Sequence, residues 1–361
     1  MTDSKVEPKL NEDVQQKKKG ALLKNILQLL LFIGLGVFFV WLSFRGIEEK
    51  DWIAIKESLA GINNPRSWIF LTFSLLSGAI AHFFRAMRSI LLIDPLGYKV
   101  RASMSFYAVM VCYLGNLAFP RLGEILRCTF LQRYEKVPFQ KSLGTIVAER
   151  ALDVVIWLPL FLLVIIMNTS LLSDLVVDKA TGQTLGMSLE NTMMSMLTNV
   201  KMYIAIAAVV IAAIVIYLTR KKWMKVPFFV KVKDVLVGIW QGLISIKDVK
   251  KPWLFILYTA LIWVFYFLGT YLCFFAFDFL AHLGPAPAFS VLIFGTIGFM
   301  IAQGGIGAYP LIVAGILVLY NIDYAPALAA GWVGWSVQTA MIIIFGLASL
   351  ILASLTKRKE S

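Results

Sequence analysis

The chain has little charge, few cysteines and few histidines, and each shortage excludes a class of protein or site. Charged residues make up 15% of the 361 residues, and hydrophobic residues make up 59%. This balance excludes an ordinary soluble domain, in which roughly a quarter of the residues are charged. The three cysteines, Cys112, Cys128 and Cys273, form no C-x-x-C pair, and the two histidines provide no metal-ligand spacing. We therefore predict packing roles for the cysteines, and neither a metal nor another cofactor.

The chain instead contains several long apolar runs. A helix needs about 20 predominantly apolar residues to cross a bilayer. Runs that reach or approach this length are Asn25–Phe44, Ser67–Phe84, Met202–Thr219, Leu254–Phe277, Ala327–Leu355 and a sixth from near Leu143 to Met167. The first run is too long for the apolar core of a cleavable signal and follows a hydrophilic tail. The sequence therefore predicts an all-α, polytopic membrane protein whose first run is an uncleaved span.

Basic residues lie in short segments beside these runs and give the chain a net charge of +13. The basic segments are Lys17–Lys19, residues 85–101, residues 220–251 and Lys357–Lys359. Their position favours the positive-inside rule and contact with anionic headgroups, rather than binding of nucleic acid. We therefore predict a cell-membrane protein whose tails, residues 1–20 and 357–361, are cytoplasmic. Residues 168–200 carry three acidic residues and one lysine and are predicted to form an outer loop.

The short apolar run Ser103–Phe119 lies between two basic segments, residues 85–102 and 121–141. A full crossing there would place one basic segment outside and the acidic 168–200 loop inside. A hairpin within residues 103–133 that enters from the cytoplasm, turns near Pro120 and returns avoids both conflicts. Such a turn at membrane depth must be buried in protein or line a water-filled cavity.

A second broken unit lies within residues 287–320. Its two apolar pieces, Ala288–Ala302 and Ile306–Tyr320, have about fifteen residues each and reach about 22 Å, less than the roughly 30 Å hydrocarbon core. If they form a hairpin that enters from outside, two membrane halves, residues 21–219 and 253–356, correspond as an inverted-topology repeat. The total is then about six full spans and two re-entrant hairpins. Two ordinary crossings in place of the second hairpin would preserve the same parity.

Two basic segments are predicted to contact the inner membrane surface. Residues 220–252 separate the halves and mix apolar residues with lysines, as in a basic amphipathic helix on the membrane surface. A solvated linker is the alternative. Arg85 and Arg88 follow the second apolar run, and we expect them to anchor a helix end among the headgroups.

The first candidate site is the turn of the first hairpin, which contains Asn116, Pro120, Arg121, Gly123, Glu124 and Arg127. Pro120 ends the first helix, and Gly123 permits close approach of the backbones. Glu124 and Arg127 are three residues apart on the next helix and can pair. Arg121 lies near the N-terminus of that helix, where a guanidinium and free amides suit a phosphate. An alternative is that these charges only lock the hairpin to the bundle.

The second candidate site is Glu149, Arg150 and Asp153 on one predicted helix. If that helix begins near Leu143, Asp153 is about 15 Å into the membrane and must face the protein interior. We expect its partner to be Arg121 or Arg127. An internal ion-pair lock, a headgroup site and a proton-coupling carboxylate are all compatible with this position.

A third candidate is the glycine-rich centre of the second hairpin, which consists of Gln303, Gly304, Gly305, Ile306 and Gly307. Glycines free the backbone to unwind in the membrane, as in the broken helices of transporters. Close helix packing is the alternative explanation for glycines in a membrane protein.

The patterns N-x-x-x-P-x-R-x-G-E-x-x-R at Asn116–Arg127, E-R-x-x-D at Glu149–Asp153 and G-G-I-G at Gly304–Gly307 resemble the lysylphosphatidylglycerol synthase transmembrane-region family, the flippase-like membrane proteins. The resemblance implies a lipid-translocating module. In its best-known relatives this module moves an aminoacylated phospholipid between leaflets, while a separate soluble synthetase domain makes that lipid. The chain ends shortly after its last apolar run, so we expect no such domain and no aminoacyl transfer. It departs from the family pattern at Gln303, where proline is usual, and after Gly307, where an acidic residue is usual.

Three functions follow from these features. The first is a flippase for a membrane phospholipid or a lipid-linked glycan, in which Arg121 and Arg127 bind phosphate while Glu149 and Asp153 balance charge or carry a proton. The second is a membrane enzyme of glycolipid or polyprenyl-phosphate metabolism, although the sequence has no D-x-D pattern and no histidine cluster. The third is a structural or regulatory membrane protein without transport.

Overall fold

The computed structural model describes residues 34–119, 121–168 and 249–356. Several predicted features lie outside these residues: Pro120, the span Met202–Thr219, residues 25–33 of the first span, the outer loop after Asn168, the linker up to residue 248, and both tails. The described residues form an all-helical, polytopic membrane protein, as predicted.

Eleven α-helices are seen in the described part of the chain. They are α1 (Gly34–Phe44), α2 (Glu49–Gly61), α3 (Pro65–Ile93), α4 (Ala102–Ala118), α5 (Leu122–Glu135), α6 (Phe139–Met167), α7 (Pro252–Phe274), α8 (Asp278–Ala281), α9 (Pro285–Ile301), α10 (Ala308–Leu319) and α11 (Tyr324–Leu355). Four of them, α3, α6, α7 and α11, are long and apolar enough to cross a bilayer.

Proline begins three of these helices. Pro65, Pro252 and Pro285 occupy the first turn of α3, α7 and α9, where the missing amide hydrogen costs no helical hydrogen bond. At α3 the side chain of Asn64 completes the start, because its Oδ1 accepts the amide hydrogen of Ser67 at 2.9 Å. The sequence thus determines these helix boundaries locally.

Helices α4 and α5 form an antiparallel hairpin. Its open end is closed by an ion pair, in which Arg101 Nε lies 2.6 Å from Glu135 Oε1 and the Glu135 side chain is fully buried. A core of apolar residues from both helices packs at this end: Met104, Ala108, Val111, Phe130 and Leu131, joined by Ala353 of α11. The short apolar run at Ser103–Phe119 is therefore one arm of a helical hairpin.

Helices α9 and α10 form a second hairpin. Tyr309 packs near its turn, where a Cβ on Gly298 would lie only 2.6 Å from the Tyr309 Cα atom. The predicted apolar pieces at Ala288–Ala302 and Ile306–Tyr320 match these two helices to within a few residues. Glycine at this crossing lets the two backbones approach closely.

The two halves of the chain have the same order of helices and similar packing between them. Each half has the order long helix, hairpin, long helix: α3, α4–α5, α6 and then α7, α9–α10, α11. The two first long helices pack against each other, and Ser74 Oγ of α3 donates to the Gly269 carbonyl of α7 at 2.7 Å. The first hairpin packs against α11 through Leu114 and Gly346, and the second hairpin packs against α6. Each hairpin therefore rests on the last long helix of the opposite half.

Helix α2 is an element that we did not predict. It follows α1 and packs Ile55 against Ala325 and Ala329 of α11, while Trp52 and Ile53 remain exposed. The Trp52 ring stacks on Phe44 at 5.3 Å between ring centroids. Charged residues along this helix hid it from a search for long apolar runs.

Candidate functional site

The turn of the first hairpin has the geometry expected from its sequence. Helix α4 ends at Ala118, Phe119 is extended, and Arg121 adopts the left-handed conformation, with φ 62°, directly before α5. A left-handed conformation is unusual for a residue with a side chain. It places Arg121 at the N-terminus of α5, as predicted, with its side chain exposed.

Gly123 and Asn116 hold this turn together. The Gly123 amide donates to Asn116 Oδ1 at 2.8 Å, and a Cβ at position 123 would collide with the carbonyl oxygen of Cys112. Asn116 Nδ2 also donates to Glu124 Oε1 at 3.2 Å. The predicted close approach at Gly123 is confirmed, and Asn116 joins the two arms of the hairpin at the turn.

Asp153 of α6 accepts from two arginines of α3. Its Oδ2 lies 2.5 Å from Arg85 Nη1 and its Oδ1 lies 2.7 Å from Arg88 Nη2. The prediction that Arg121 or Arg127 would pair with Asp153 is wrong, because both carboxylate oxygens bind the α3 arginines. The prediction that Arg85 and Arg88 anchor a helix end among headgroups is also wrong, since these residues are 6% and 0% exposed.

The position of Asp153 along α6 explains the need for two cationic partners. The helix begins at Phe139, four residues before the predicted start, so Asp153 is fourteen residues from either end. This separation is about 21 Å along the helix axis. A carboxylate at such a depth needs a counter-ion from the protein, because snorkelling to the headgroups is not possible.

Arg127 of α5 forms a buried ion pair with Glu149 of α6 that has two contacts. Its Nη1 lies 3.1 Å from Glu149 Oε2 and its Nη2 lies 2.8 Å from Glu149 Oε1. Arg127 Nη2 also donates to Ser89 Oγ of α3 at 2.6 Å. The predicted pair between Glu124 and Arg127 is therefore wrong, because Arg127 is rotated toward α6 and α3.

Glu124 instead pairs with Arg150 of α6. Arg150 Nη2 lies 3.4 Å from Glu124 Oε1, a long ion pair, and the Arg150 side chain is 43% exposed. The Arg150 guanidinium lies 5.7 Å from the centre of the Tyr113 ring. Arg150 is thus the least constrained arginine of the cluster that comprises the side chains of Arg85, Arg88, Glu124, Arg127, Glu149, Arg150 and Asp153; we call this set the ionic cluster.

The ionic cluster contains more positive than negative charge. Its four arginines face three carboxylates, because Asp153 pairs with both Arg85 and Arg88, so the described residues of the cluster have one positive charge in excess. Within the cluster, the buried atoms without a hydrogen-bond partner are four arginine nitrogens and one carboxylate oxygen: Arg85 Nε, Arg88 Nε, Arg88 Nη1, Arg127 Nε and Glu124 Oε2. Unpaired charge in a low-dielectric interior is costly. The arrangement can therefore accept an anion.

The second hairpin turn is unwound at its glycines, as predicted. Gly304, Gly305 and Gly307 have φ values of 61°, 72° and 71°. Helix α1 closes over this turn, and a Cβ on Gly307 would lie 2.5 Å from the Val40 nitrogen. Trp335 Nε1 of α11 donates to the Gly304 carbonyl at 2.8 Å. The glycines here serve both the unwound backbone and the close packing.

The two hairpin turns touch each other. Gln303 Nε2 donates to the main-chain carbonyl of Asn116, and a Cβ on Gly304 would lie 3.0 Å from Leu117 Cδ2. Most of the predicted site residues are therefore in one connected region. Asn116, Gly123, Glu124 and Arg150 lie at the first turn, Gln303 and Gly304 meet that turn, and Arg127, Glu149 and Asp153 extend away from it.

The backbones of the two turns adopt the same conformation, although the residues at equivalent positions differ. Phe119 and Ala302 are both extended residues that follow a helix, and each amide donates to a glycine four residues earlier. Two residues later, Arg121 and Gly304 are both left-handed, with φ 62° and 61°. The halves thus resemble each other in local geometry although their sequences do not.

Arg85 and Arg88 are the candidate site residues that sequence reasoning missed. We ended the second span at Phe84 because charges follow it, but α3 continues for nine residues to Ile93. The signal was present in the sequence, because apolar residues resume directly after Arg88 in the stretch Ser89–Ile93. Two arginines three apart within a continuing apolar helix share one face and point to a buried partner.

Of the comparisons with known proteins, one assigns the chain to a family. Searches against curated proteins and against solved structures returned no match. The family model described as "Lysylphosphatidylglycerol synthase TM region" matches residues 25–346, a range that contains both hairpins and every member of the ionic cluster. This chain belongs to the lysylphosphatidylglycerol synthase transmembrane-region family.

Proposed function

We propose that this protein translocates a lipid with an anionic headgroup, a phospholipid or a lipid-linked glycan, between the leaflets of the cell membrane. The observation that carries the proposal is the positive excess of the ionic cluster, in which four arginines face three carboxylates inside a membrane bundle. A headgroup phosphate supplies the missing negative charge, and guanidinium groups are suited to bind it. The proposed activity moves an intact lipid and involves no chemical conversion of it.

The arginines differ in the exposure of their side chains, and on this basis we assign them two roles. Arg150 is 43% exposed and holds Glu124 only at 3.4 Å, and Arg121 is exposed at the hairpin turn three residues before Glu124. Arg127 is buried and occupied by Glu149 on both of its terminal nitrogens. In the proposed function Arg121 and Arg150 therefore receive the phosphate first, and Arg127 positions α5 against α6.

The paired hairpins support a mechanism of alternating access. Two short helical hairpins of about 25 Å or less meet at their turns, and each packs against a long helix of the opposite half. We propose that both hairpins are re-entrant and that the halves are an inverted-topology repeat, the arrangement in which two equivalent units rock around a central site. With the basic segments inside, both termini are cytoplasmic.

Leaflet transfer of a labelled lipid tests the proposal. Purified protein is placed in liposomes that contain a trace of fluorescent phosphatidylglycerol, and dithionite quenching reports the label that reaches the outer leaflet. We expect Arg150→Gln to slow transfer at least tenfold while the protein folds normally, because its ion pair is long and half-exposed. Arg121→Ala is expected to slow transfer as well.

A matched control is available at Arg66. This arginine is also exposed and forms a long pair, with its Nη1 3.6 Å from Asp278 Oδ1, but it belongs to the far end of α3. Arg66→Gln removes the same charge outside the ionic cluster and should leave transfer unchanged. Normal transfer by Arg150→Gln, or an equal loss in Arg66→Gln, would contradict the proposed site.

A further inference from the structure

Arg85 and Arg88 are held by one carboxylate although they are two cations. Asp153 gives one oxygen to each, at 2.5 Å and 2.7 Å. Arg88 is 0% exposed, and its Nε and Nη1 have no hydrogen-bond partner. Buried donors of this kind are normally satisfied, and an unpaired donor on a charged group is more costly than one on a neutral group. The two arginines therefore present more buried donors than the Asp153 carboxylate satisfies.

The geometry of the two arginines matches a phosphate. They are three residues apart on α3, so their side chains project from one face of the helix. A phosphodiester offers two non-bridging oxygens that share one negative charge, a phosphate monoester offers three, and guanidinium groups bind such oxygens in pairs. Asp153 meets the same terminal nitrogens that a phosphate would use, and its own side chain is 16% exposed. This partial exposure shows that the carboxylate lies at the edge of the buried arginines, where an exchange can begin.

We propose that Asp153 is a resident anion, which occupies the phosphate site of Arg85 and Arg88 until the headgroup of the lipid displaces it. This inference rests on the proposed function and makes it more specific. Arg150, half-exposed at the hairpin turn, receives the phosphate, and the two α3 arginines then take it from the edge of the cluster. When the lipid leaves, Asp153 returns and prevents two neighbouring cations from remaining unpaired in the membrane.

The exchange predicts a gain of affinity when the resident anion is removed. In Asp153→Asn the two arginines have no competing carboxylate, so a phosphate lipid binds without displacing one. We expect phosphatidylglycerol to bind at least about tenfold more tightly than to the unaltered protein, equivalent to about 1.4 kcal/mol. The measurement is native mass spectrometry of the detergent-solubilised chain, titrated with phosphatidylglycerol and, in parallel, with phosphatidylcholine.

Two comparisons isolate the effect. Asp278→Asn removes the same negative charge at an exposed position. The Asp278 side chain is 89% exposed, and its replacement should leave the affinity unchanged. In the unaltered protein, phosphatidylglycerol should increase the labelling of Asp153 by a hydrophobic carbodiimide, because a carboxyl released from its ion pairs becomes reactive. This second readout needs no substitution and applies even if Asp153→Asn fails to fold.

The outcomes separate the inference from the proposed function. Tighter binding by Asp153→Asn, or lipid-dependent labelling of Asp153, supports the exchange. Preferential binding of phosphatidylglycerol by the unaltered protein, with no gain in Asp153→Asn and no change in labelling, overturns the exchange and leaves the proposed function standing. If neither protein prefers phosphatidylglycerol over phosphatidylcholine, the exchange and the phospholipid form of the proposed function are both overturned.

Discussion

Removal of one partner from the ion pair of Arg127 and Glu149 should destabilise the protein strongly, whereas removal of both should not. The two residues are 3% and 1% exposed, and the guanidinium makes two contacts to the carboxylate, at 3.1 Å and 2.8 Å. Breaking a buried pair leaves an uncompensated charge and costs about 3–5 kcal/mol. Replacing both residues by apolar side chains of similar volume is often neutral or stabilising. The prediction therefore concerns the coupling between the two positions.

The test is a double-mutant cycle with Arg127→Met, Glu149→Met and the double variant. We expect each single variant to lose about 3–5 kcal/mol and the double variant to recover most of it, so that the coupling exceeds about 3 kcal/mol. The free energy of unfolding is measured in mixed micelles titrated with a denaturing detergent, with tryptophan fluorescence as the signal.

An exposed pair provides the control for this cycle. Arg66 and Asp278 lie 3.6 Å apart, with side chains that are 57% and 89% exposed, and a cycle of the same substitutions there should show no measurable coupling. Single variants at Arg127 and Glu149 that cost under about 1 kcal/mol, with additive effects, would refute the conclusion that this pair is buried and holds α5 to α6.

Two further predictions concern the first hairpin. Gly123→Ala should destabilise the protein by about 1–3 kcal/mol, because the new Cβ collides with the Cys112 carbonyl, whereas Gly315→Ala, which meets nothing within 4 Å, should be neutral or slightly stabilising in the same unfolding assay. Equal effects of the two substitutions would contradict the close crossing. Glu135→Gln should weaken the bond to Arg101 at the open end of the hairpin and increase proteolysis just before α4 and just after α5, and unchanged cleavage would show that this ion pair does not close the hairpin.

The helices of this protein were predictable because local features determine them. Length and apolar composition identified the long helices, and the shorter apolar runs indicated the helical hairpins, with two ordinary crossings as the alternative for the second. Glycine at position 123 and the glycines from 304 to 307 predicted a close approach and an unwound turn, and both are present. These properties depend on residues within a few positions of each other, so the sequence contains them directly.

The ion-pair partners depend on contacts between distant helices, and the sequence predicted them poorly. Asp153 is 68 residues from Arg85 and 65 from Arg88, and its choice of these partners depends on how α3 and α6 are rotated against each other. A spacing of three residues allowed Glu124 to reach Arg127, but packing turned Arg127 toward α6 instead. Several carboxylates and arginines of suitable depth were present, and only the tertiary structure selected among them.

The sequence by itself determined the class of the protein, its membrane helices and the place of its two turns. Tertiary structure decided that the turns meet, through Gln303 and Asn116, which are 187 residues apart. It also decided that the buried arginines outnumber their carboxylates in one cluster. The physical reason is that apolar length and backbone freedom are properties of a segment, whereas charge compensation is a property of the packed bundle.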